Sequence, residues 1–271
     1  MIGRGRCITG GYLNVAADEG GCRQVVQDRK TKIEYGDHSL PNGPTEVLMP
    51  NNYLPPLRRV AEAVSARLCY DYLCFKGDLM DEGYLNHIVA DVLGSFYDPS
   101  KVVIRKGVRH PVLGAISKKS GRKSEVDFSV VERGTNVASL VIEAKWAGSS
   151  YCTPTRLLWD LVRLKLIKNA FNNCVCGLLI AGHKSAMEKL FNRPLLKLYT
   201  QHPLHRDGAR RKHFLLTGNQ HHQELINKFK AATLARIPGL IIPDTITTRL
   251  STATYSAHDK ARFVARCWRV E

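Results

Sequence analysis

The sequence predicts an α/β fold, and three observations carry that expectation. Between residues 80 and 200, segments of helical and strand periodicity follow one another as helix, three strands, helix, strand, helix. Val175 to Ala181 is apolar throughout and ends at Gly182, the pattern of a strand buried on both faces. The 271 residues, 44% hydrophobic, are also enough to bury a sizeable core.

Each element has its own signal. Residues 1 to 53 carry glycines, scattered charges and turn signals such as Pro41-Asn42-Gly43-Pro44, without sustained periodicity. From Pro55 to Leu73, Leu57, Val60, Ala61, Val64, Leu68 and Tyr72 recur at helical spacing. A second helix is expected from Met80 to Leu93, with Leu85, Ile88, Val89, Val92 and Leu93 as its apolar stripe and Gly94 as its stop. Short strands follow at Val102 to Ile104, Val126 to Val131 and Leu140 to Ala144, and Arg133-Gly134-Thr135-Asn136 has the composition of a hairpin turn between the last two. Thr153-Pro154 opens the next helix, with Thr153 as N-cap and Pro154 where its missing N–H costs little, running to about Ala170. After the buried strand comes a helix from Ser185 to Tyr199. In the tail, Gln223 to Ala235 reads as helix, and Ile246 to Thr254 and Arg262 to Val270 as strands. Residues 1–78 are therefore expected to form an N-terminal extension with a packed helix, 79–200 the core, and 201–271 a helix and strands that complete or extend it.

Composition limits the function classes. No stretch approaches about 18 apolar residues and Met1 to Arg6 contains no apolar run, so a cytoplasmic protein with no membrane association is expected. The eight cysteines form no regular framework and no CxxC pair, which predicts reduced thiols. Forty Lys and Arg against 24 Asp and Glu leave a net charge of +16, a field that attracts polyanions. Nucleic acid is the expected partner. The excess is concentrated in Lys101 to Lys123, which holds Arg105, Arg109, Lys118, Lys119, Arg122 and Lys123 without one carboxylate, and in a second cluster with Arg210, Arg211 and Lys212. These are the candidate phosphate contacts.

Chemistry is concentrated between Glu125 and Lys145. Strand side chains alternate, so Val126, Phe128 and Val130 can face a core while Asp127 and Ser129 face the other way. On the next strand Leu140, Ile142 and Ala144 pack inward, and Glu143 and Lys145 share the opposite face. A turn centred on Thr135 would place opposite each other residues whose numbers sum to 270, as those of Asp127 and Glu143 do. Opposed residues have Cβ atoms about 4.5 to 5.5 Å apart, a separation that lets two carboxylates share a divalent ion and is repulsive without one. Magnesium, which accepts oxygen ligands and commonly uses one or two carboxylates plus substrate phosphate, is the expected ion, with manganese a substitute. Lys145 could orient or deprotonate a water, or neutralise charge developing on phosphorus.

Asp127 followed by Glu143-Ala144-Lys145, with 15 residues between the two acids, resembles the PD-(D/E)xK nuclease superfamily of restriction-endonuclease-like and RecB-like enzymes. The resemblance covers residues 79–200, and Val126 stands where the family motif has proline. It implies a restriction-endonuclease-like mixed central sheet flanked by helices, with N- and C-terminal additions. It also implies a metal held by Asp127, Glu143 and the Ala144 carbonyl, and a further acid on the first core helix. Glu82 is the candidate for that acid and Asp81 the neighbouring alternative. The implied activity is magnesium-dependent hydrolysis of phosphodiester bonds, by a deoxyribonuclease and in particular an endonuclease. A ribonuclease of the same superfamily and a noncatalytic nucleic-acid-binding protein on the same fold are the alternatives. Cutting both strands of a duplex would call for a homodimer or sequential nicks. Restriction, phage defence, mobile-element processing, repair or toxicity would each suit such an activity.

Other residues have simpler readings. Asp160 could pair with Arg156 or Arg163 at helical spacing, next to Trp159. His202, His205, His221 and His222 lack cysteine partners at zinc spacing. Cys174 and Cys176 are expected in the core, His87 on a helix surface, and Arg266, Trp268 and Arg269 on a packed terminal strand or a base-stacking platform.

Overall fold

The expected hairpin organises the molecule, and the computed structural model describes it together with the rest of residues 55–115, 125–135, 137–197, 211–216, 223–251 and 262–271. Helix α1 (Pro56–Leu73) and helix α2 (Glu82–Phe96) come first, then strand β1 (Val102–Val108) and the short helix α3 (Pro111–Ala115). β2 (Val126–Glu132) and β3 (Ala138–Trp146) then pair antiparallel, with Phe128 opposite Ile142, Ser129 opposite Val141 and Val130 opposite Leu140. All three pairs keep the 270 sum. The register slips by one residue at Val131, opposite Ala138, where a bulge leads into the turn. Gly134 occupies that turn with φ +79°, a left-handed conformation open to glycine because it has no Cβ.

β1 extends beyond the three residues expected and pairs along the outer side of β2. Helix α4 (Pro154–Ala170) then crosses over so that β4 (Val175–His183) runs parallel to β3, a connection that antiparallel neighbours would not need. Its start is as expected: Thr153 Oγ1 accepts a hydrogen bond from Arg156 N at 3.4 Å, and Pro154 takes the first position. Helices α5 (Lys184–Phe191) and α6 (Pro194–Lys197), strand β5 (Arg211–Leu215), helix α7 (Gln223–Arg236), β6 (Thr245–Leu250) and β7 (Phe263–Val270) complete the chain. The result is a mixed seven-stranded sheet in the order β1-β2-β3-β4-β7-β6-β5, flanked by helices, so the molecule is α/β as predicted. Residues Asn51–Glu271 form one compact unit.

Both faces of the sheet are covered. Leu57, Val64 and Leu85 of α1 and α2 pack with Phe128, Ile142 and Leu179 on one side. Gly177 admits this approach, since a Cβ there would stand 2.5 Å from Leu57 Cδ2. On the other side Leu157, Leu161 and Leu164 of α4 pack with Val141, Cys176 and Trp268. Burying each such side chain contributes about 1.5–3 kcal/mol, so neither face of the central strands is left to water.

Two helix boundaries differ from expectation. α2 runs through Gly94 to Phe96, because an exposed glycine in a helix costs only about 1 kcal/mol and does not oblige it to stop. The single helix expected from Ser185 to Tyr199 breaks at Asn192 and restarts as α6, since Pro194 cannot donate to the preceding turn and disfavours helical backbone at Arg193. Residues 198 and 199 lie outside the described residues. Among the described residues no helix is long and apolar enough to cross a membrane.

Candidate active site

Covering both faces has a direct electrostatic consequence. The polar face of the hairpin lies under α4, so Glu143 is fully buried and Lys145 nearly so. Carrying the β2–β3 register one residue beyond Phe128–Ile142 sets Asp127 opposite Glu143, and Asp127 Oδ2 accepts a hydrogen bond from Ala144 N at 2.9 Å. Glu82 arrives from the first residue of α2, where Asp81 Oδ1 caps the helix by accepting from Tyr84 N at 2.7 Å. Of the two acids considered there, Glu82 enters the cluster and Asp81 serves the helix end.

The Lys145 ammonium is the centre of the arrangement. Its Nζ lies 3.1 Å from Asp127 Oδ2, 3.8 Å from Glu143 Oε2 and 3.8 Å from Glu82 Oε1. It donates to the Ala144 carbonyl at 3.0 Å and stands 3.8 Å from Asp160 Oδ2 on α4. Arg163, one turn further along α4, reaches Glu143 Oε1 at 2.7 Å and Asp160 Oδ1 at 2.6 Å, and donates to the Glu125 carbonyl at 2.8 Å. The acids Asp127, Glu143 and Glu82, with Lys145 and Ala144, are thus brought together as the sequence predicts. Asp160 and Arg163 are the additions.

Charge in this cluster is unbalanced. Four carboxylates face two cations, a formal excess of two negative charges. Burial pushes the Glu143 carboxyl well above its ordinary range, against the pull of Arg163. Burial likewise raises Asp160 and Glu82, with Lys145 opposing in both cases. Burial would lower Lys145, but Asp160, Asp127, Glu143 and Glu82 outweigh it and hold the amine protonated. Of the roles the sequence left open for Lys145, this favours a positive charge and hydrogen-bond donor over a base. Cys152, buried beside the cluster, has its thiol pushed up to about 12 by burial and supplies no thiolate at neutral pH.

The donor set suits a hard divalent cation. It is all oxygen, it carries a formal excess of two negative charges, and Glu143 Oε2 and Asp160 Oδ2 are buried without a hydrogen-bond partner, while Glu143 Oε1 is met by the Arg163 ion pair. Among the described residues no three acidic, histidine or cysteine side chains already converge as ligands. The ammonium of Lys145 occupies the point they surround. The cluster opens into a cleft of about 1010 Å³ whose wall includes Tyr151, Arg156, Trp159 and Arg236. Arg156 lies over the Tyr151 ring, 4.6 Å from its centroid.

The basic candidates have a different outcome. Arg105 is exposed on β1, and Arg109 pairs with Glu125 at 3.7 Å beside the cleft. Lys118, Lys119, Arg122, Lys123 and Arg210 lie outside the described residues. Arg211 and Lys212 fall on β5, at the sheet edge opposite β1, and six strand spacings amount to about 29 Å. Among the described residues the basic positions therefore do not gather in one patch around the site, because long-range pairing of the tail strands puts three strands between the hairpin and β5. Of the other arginines that line the cleft beside Arg163, the sequence offers Arg156 only as a pair partner for Asp160 and gives no signal for Arg236.

The simpler readings fare well where the chain is described. His87 is an exposed helix-surface residue 3.6 Å from Asp91, Cys174 and Cys176 are buried with sulfurs 3.9 Å apart, and Trp268 is buried against Phe191. His202, His205, His221 and His222 lie outside the described residues. The spacing predicts a structural ion pair of Asp160 with Arg156 or Arg163, and the structure makes it with Arg163 inside the cluster, because α4 carries Leu157, Leu158, Leu161, Val162, Leu164, Leu166 and Ile167 almost all round its circumference. A helix so apolar is buried, and charges embedded in it need buried partners. Comparison with protein-family models, with curated proteins and with solved structures gives no match.

Proposed function

We propose that this chain is a metal-dependent nuclease of PD-(D/E)xK type, on a restriction-endonuclease-like fold, that hydrolyses phosphodiester bonds in DNA. The observation that carries the reading is the single lysine amine enclosed by Asp127, Glu143 and Glu82 at 3.1–3.8 Å, on a hairpin whose register opposes the two acids. The net charge of +16 supports a polyanionic substrate.

Asp127, Glu143 and the Ala144 carbonyl would hold the cation, with Glu82 in support; Asp127 Oδ2, which accepts from both Ala144 N and Lys145 Nζ, would give up the ammonium to take part. Magnesium bound there supplies Lewis acidity and charge neutralisation at phosphate. The protein's own groups do the rest. Arg163 holds one oxygen of Glu143 and leaves the other turned toward Lys145. Lys145, a fixed cation, stabilises the charge that builds on the phosphoryl oxygens as water attacks phosphorus and the ester P–O bond breaks.

The test is incubation of purified protein with plasmid, linear DNA and RNA, in magnesium, in manganese and in chelator, alongside Lys145→Ala. Cleavage that requires metal and falls about a hundredfold to a thousandfold in the variant is the expected result. Full-rate cleavage by Lys145→Ala would overturn the assignment, and metal-independent binding without cleavage would favour the noncatalytic alternative.

A further inference from the structure

Beside the carboxylate cleft, α4 and α7 enclose a second, smaller pocket of about 110 Å³. Arg156 and Trp159 contribute from α4, Phe229, Thr233 and Arg236 from α7 at the spacing of a single helix face, and Ile237 from just beyond its end. Arg156, Trp159 and Arg236 line the large cleft as well, so the two spaces adjoin at those three side chains.

The chemistry of this pocket is specific in kind. Its floor is apolar: Phe229 and Ile237 are buried, and the Thr233 hydroxyl is already committed to the Phe229 carbonyl at 2.8 Å. The floor therefore offers a ring face with its own hydroxyl engaged, and the other threonine of the lining, Thr155, stands at the exposed wall. Its rim is cationic. Arg156 and Arg236 are exposed, and among the described residues neither forms an ion pair. Its volume lies well under the roughly 300 Å³ of a drug-sized ligand site, which suits one planar ring system and excludes a base pair. An apolar slot for one ring, edged by two guanidinium groups and adjoining the hydrolytic cleft, matches a nucleotide whose base is unstacked while its phosphates stay in the cleft.

We propose that this pocket takes the unpaired base of a nucleotide next to the scissile phosphate, with Trp159 as the stacking surface and Arg156 and Arg236 on the flanking phosphates. The inference rests on the nucleic-acid substrate proposed above and narrows it to single-stranded or frayed strands. Because stacking tolerates every base, the pocket selects for unpaired structure and not for sequence.

Binding in chelator tests the pocket without requiring catalysis. A fluorescein-labelled single-stranded oligodeoxynucleotide, its RNA counterpart and a blunt hairpin duplex are titrated by anisotropy into wild type, Trp159→Ala, Trp159→Phe and Ala232→Phe. Ala232 is exposed at the pocket wall, so Ala232→Phe obstructs the space without disturbing the core. Stacking predicts that Trp159→Ala and Ala232→Phe weaken single-strand binding about 5- to 150-fold, that Trp159→Phe retains most of it, and that duplex binding is unmoved. The DNA and RNA arms show which sugar the site accepts. Equal losses on single strand and duplex, or no loss in either variant, would overturn the pocket. Cleavage of the same oligonucleotide by wild type in magnesium is scored separately, so failure of the hydrolytic reading and failure of the pocket give different results.

Discussion

Asp71 and Glu143 are both fully buried carboxylates, and their surroundings are opposite. Asp71, on α1, receives three donors: Tyr84 Oη at 2.8 Å, Arg67 Nε at 2.8 Å and Lys76 Nζ at 3.1 Å. Burial pushes its carboxyl upward, but those hydrogen bonds outweigh it and hold the group below its ordinary value. Glu143 faces one arginine and one distant lysine, shares its space with three other acids, and is held well above its ordinary value. Asp71 completes a polar network that ties α1 to the start of α2. The cluster at Glu143 is left short of positive charge inside the fold, an arrangement that costs stability and is kept where a ligand supplies what is missing.

Several substitutions would break or sharpen this contrast. The largest effect is expected at Asp127→Asn, which should lower cleavage at least about a hundredfold while leaving metal-free thermal stability unchanged or higher, since one of four crowded charges is removed. Asp71→Asn should do the reverse. Its cationic partners are 48% and 42% exposed and can return to water, so the expected cost is about 1.5–3 kcal/mol and not the larger penalty of stranding a buried charge, with cleavage per folded molecule unaltered. Equilibrium denaturation against pH checks the cause. Because the folded-state pKa of Asp71 is depressed, its stabilisation is fully present above the unfolded carboxylate value and is lost as pH falls through the folded one, so the gap between wild type and Asp71→Asn should close only in acid. The smallest effect on stability belongs to Glu82→Gln. Removing a partly buried charge beside Asp127 and Asp160 should raise metal-free stability by about 0.5–1 kcal/mol and lower cleavage about tenfold or more, read by melting and by initial rates.

The hairpin was legible because its determinants are local. Alternating apolar residues on two neighbouring strands and a glycine in the turn fix the register, and the prediction departs from the structure only at the bulge by Val131. Glu82 was legible for a similar reason, lying at the start of a clearly periodic helix. Asp160 and Arg163 were not read as part of the site, because an acid and a base three residues apart look like a surface pair until a second layer buries them. The position of β7 beside β4, and the resulting distance of Arg211 and Lys212 from β1, depends on contacts across nearly a hundred residues of chain, which periodicity cannot encode. Likewise the pocket between α4 and α7 arises only when the tail helix meets a helix from the core.

The central claim is that the excess carboxylates at Lys145 are completed by a divalent cation. Isothermal titration of magnesium and manganese chlorides into wild type, Asp71→Asn and Asp127→Asn measures this directly. The account predicts saturable binding in wild type, the same binding in Asp71→Asn, and its loss in Asp127→Asn. Absence of binding in wild type, or equal binding in all three proteins, would contradict it.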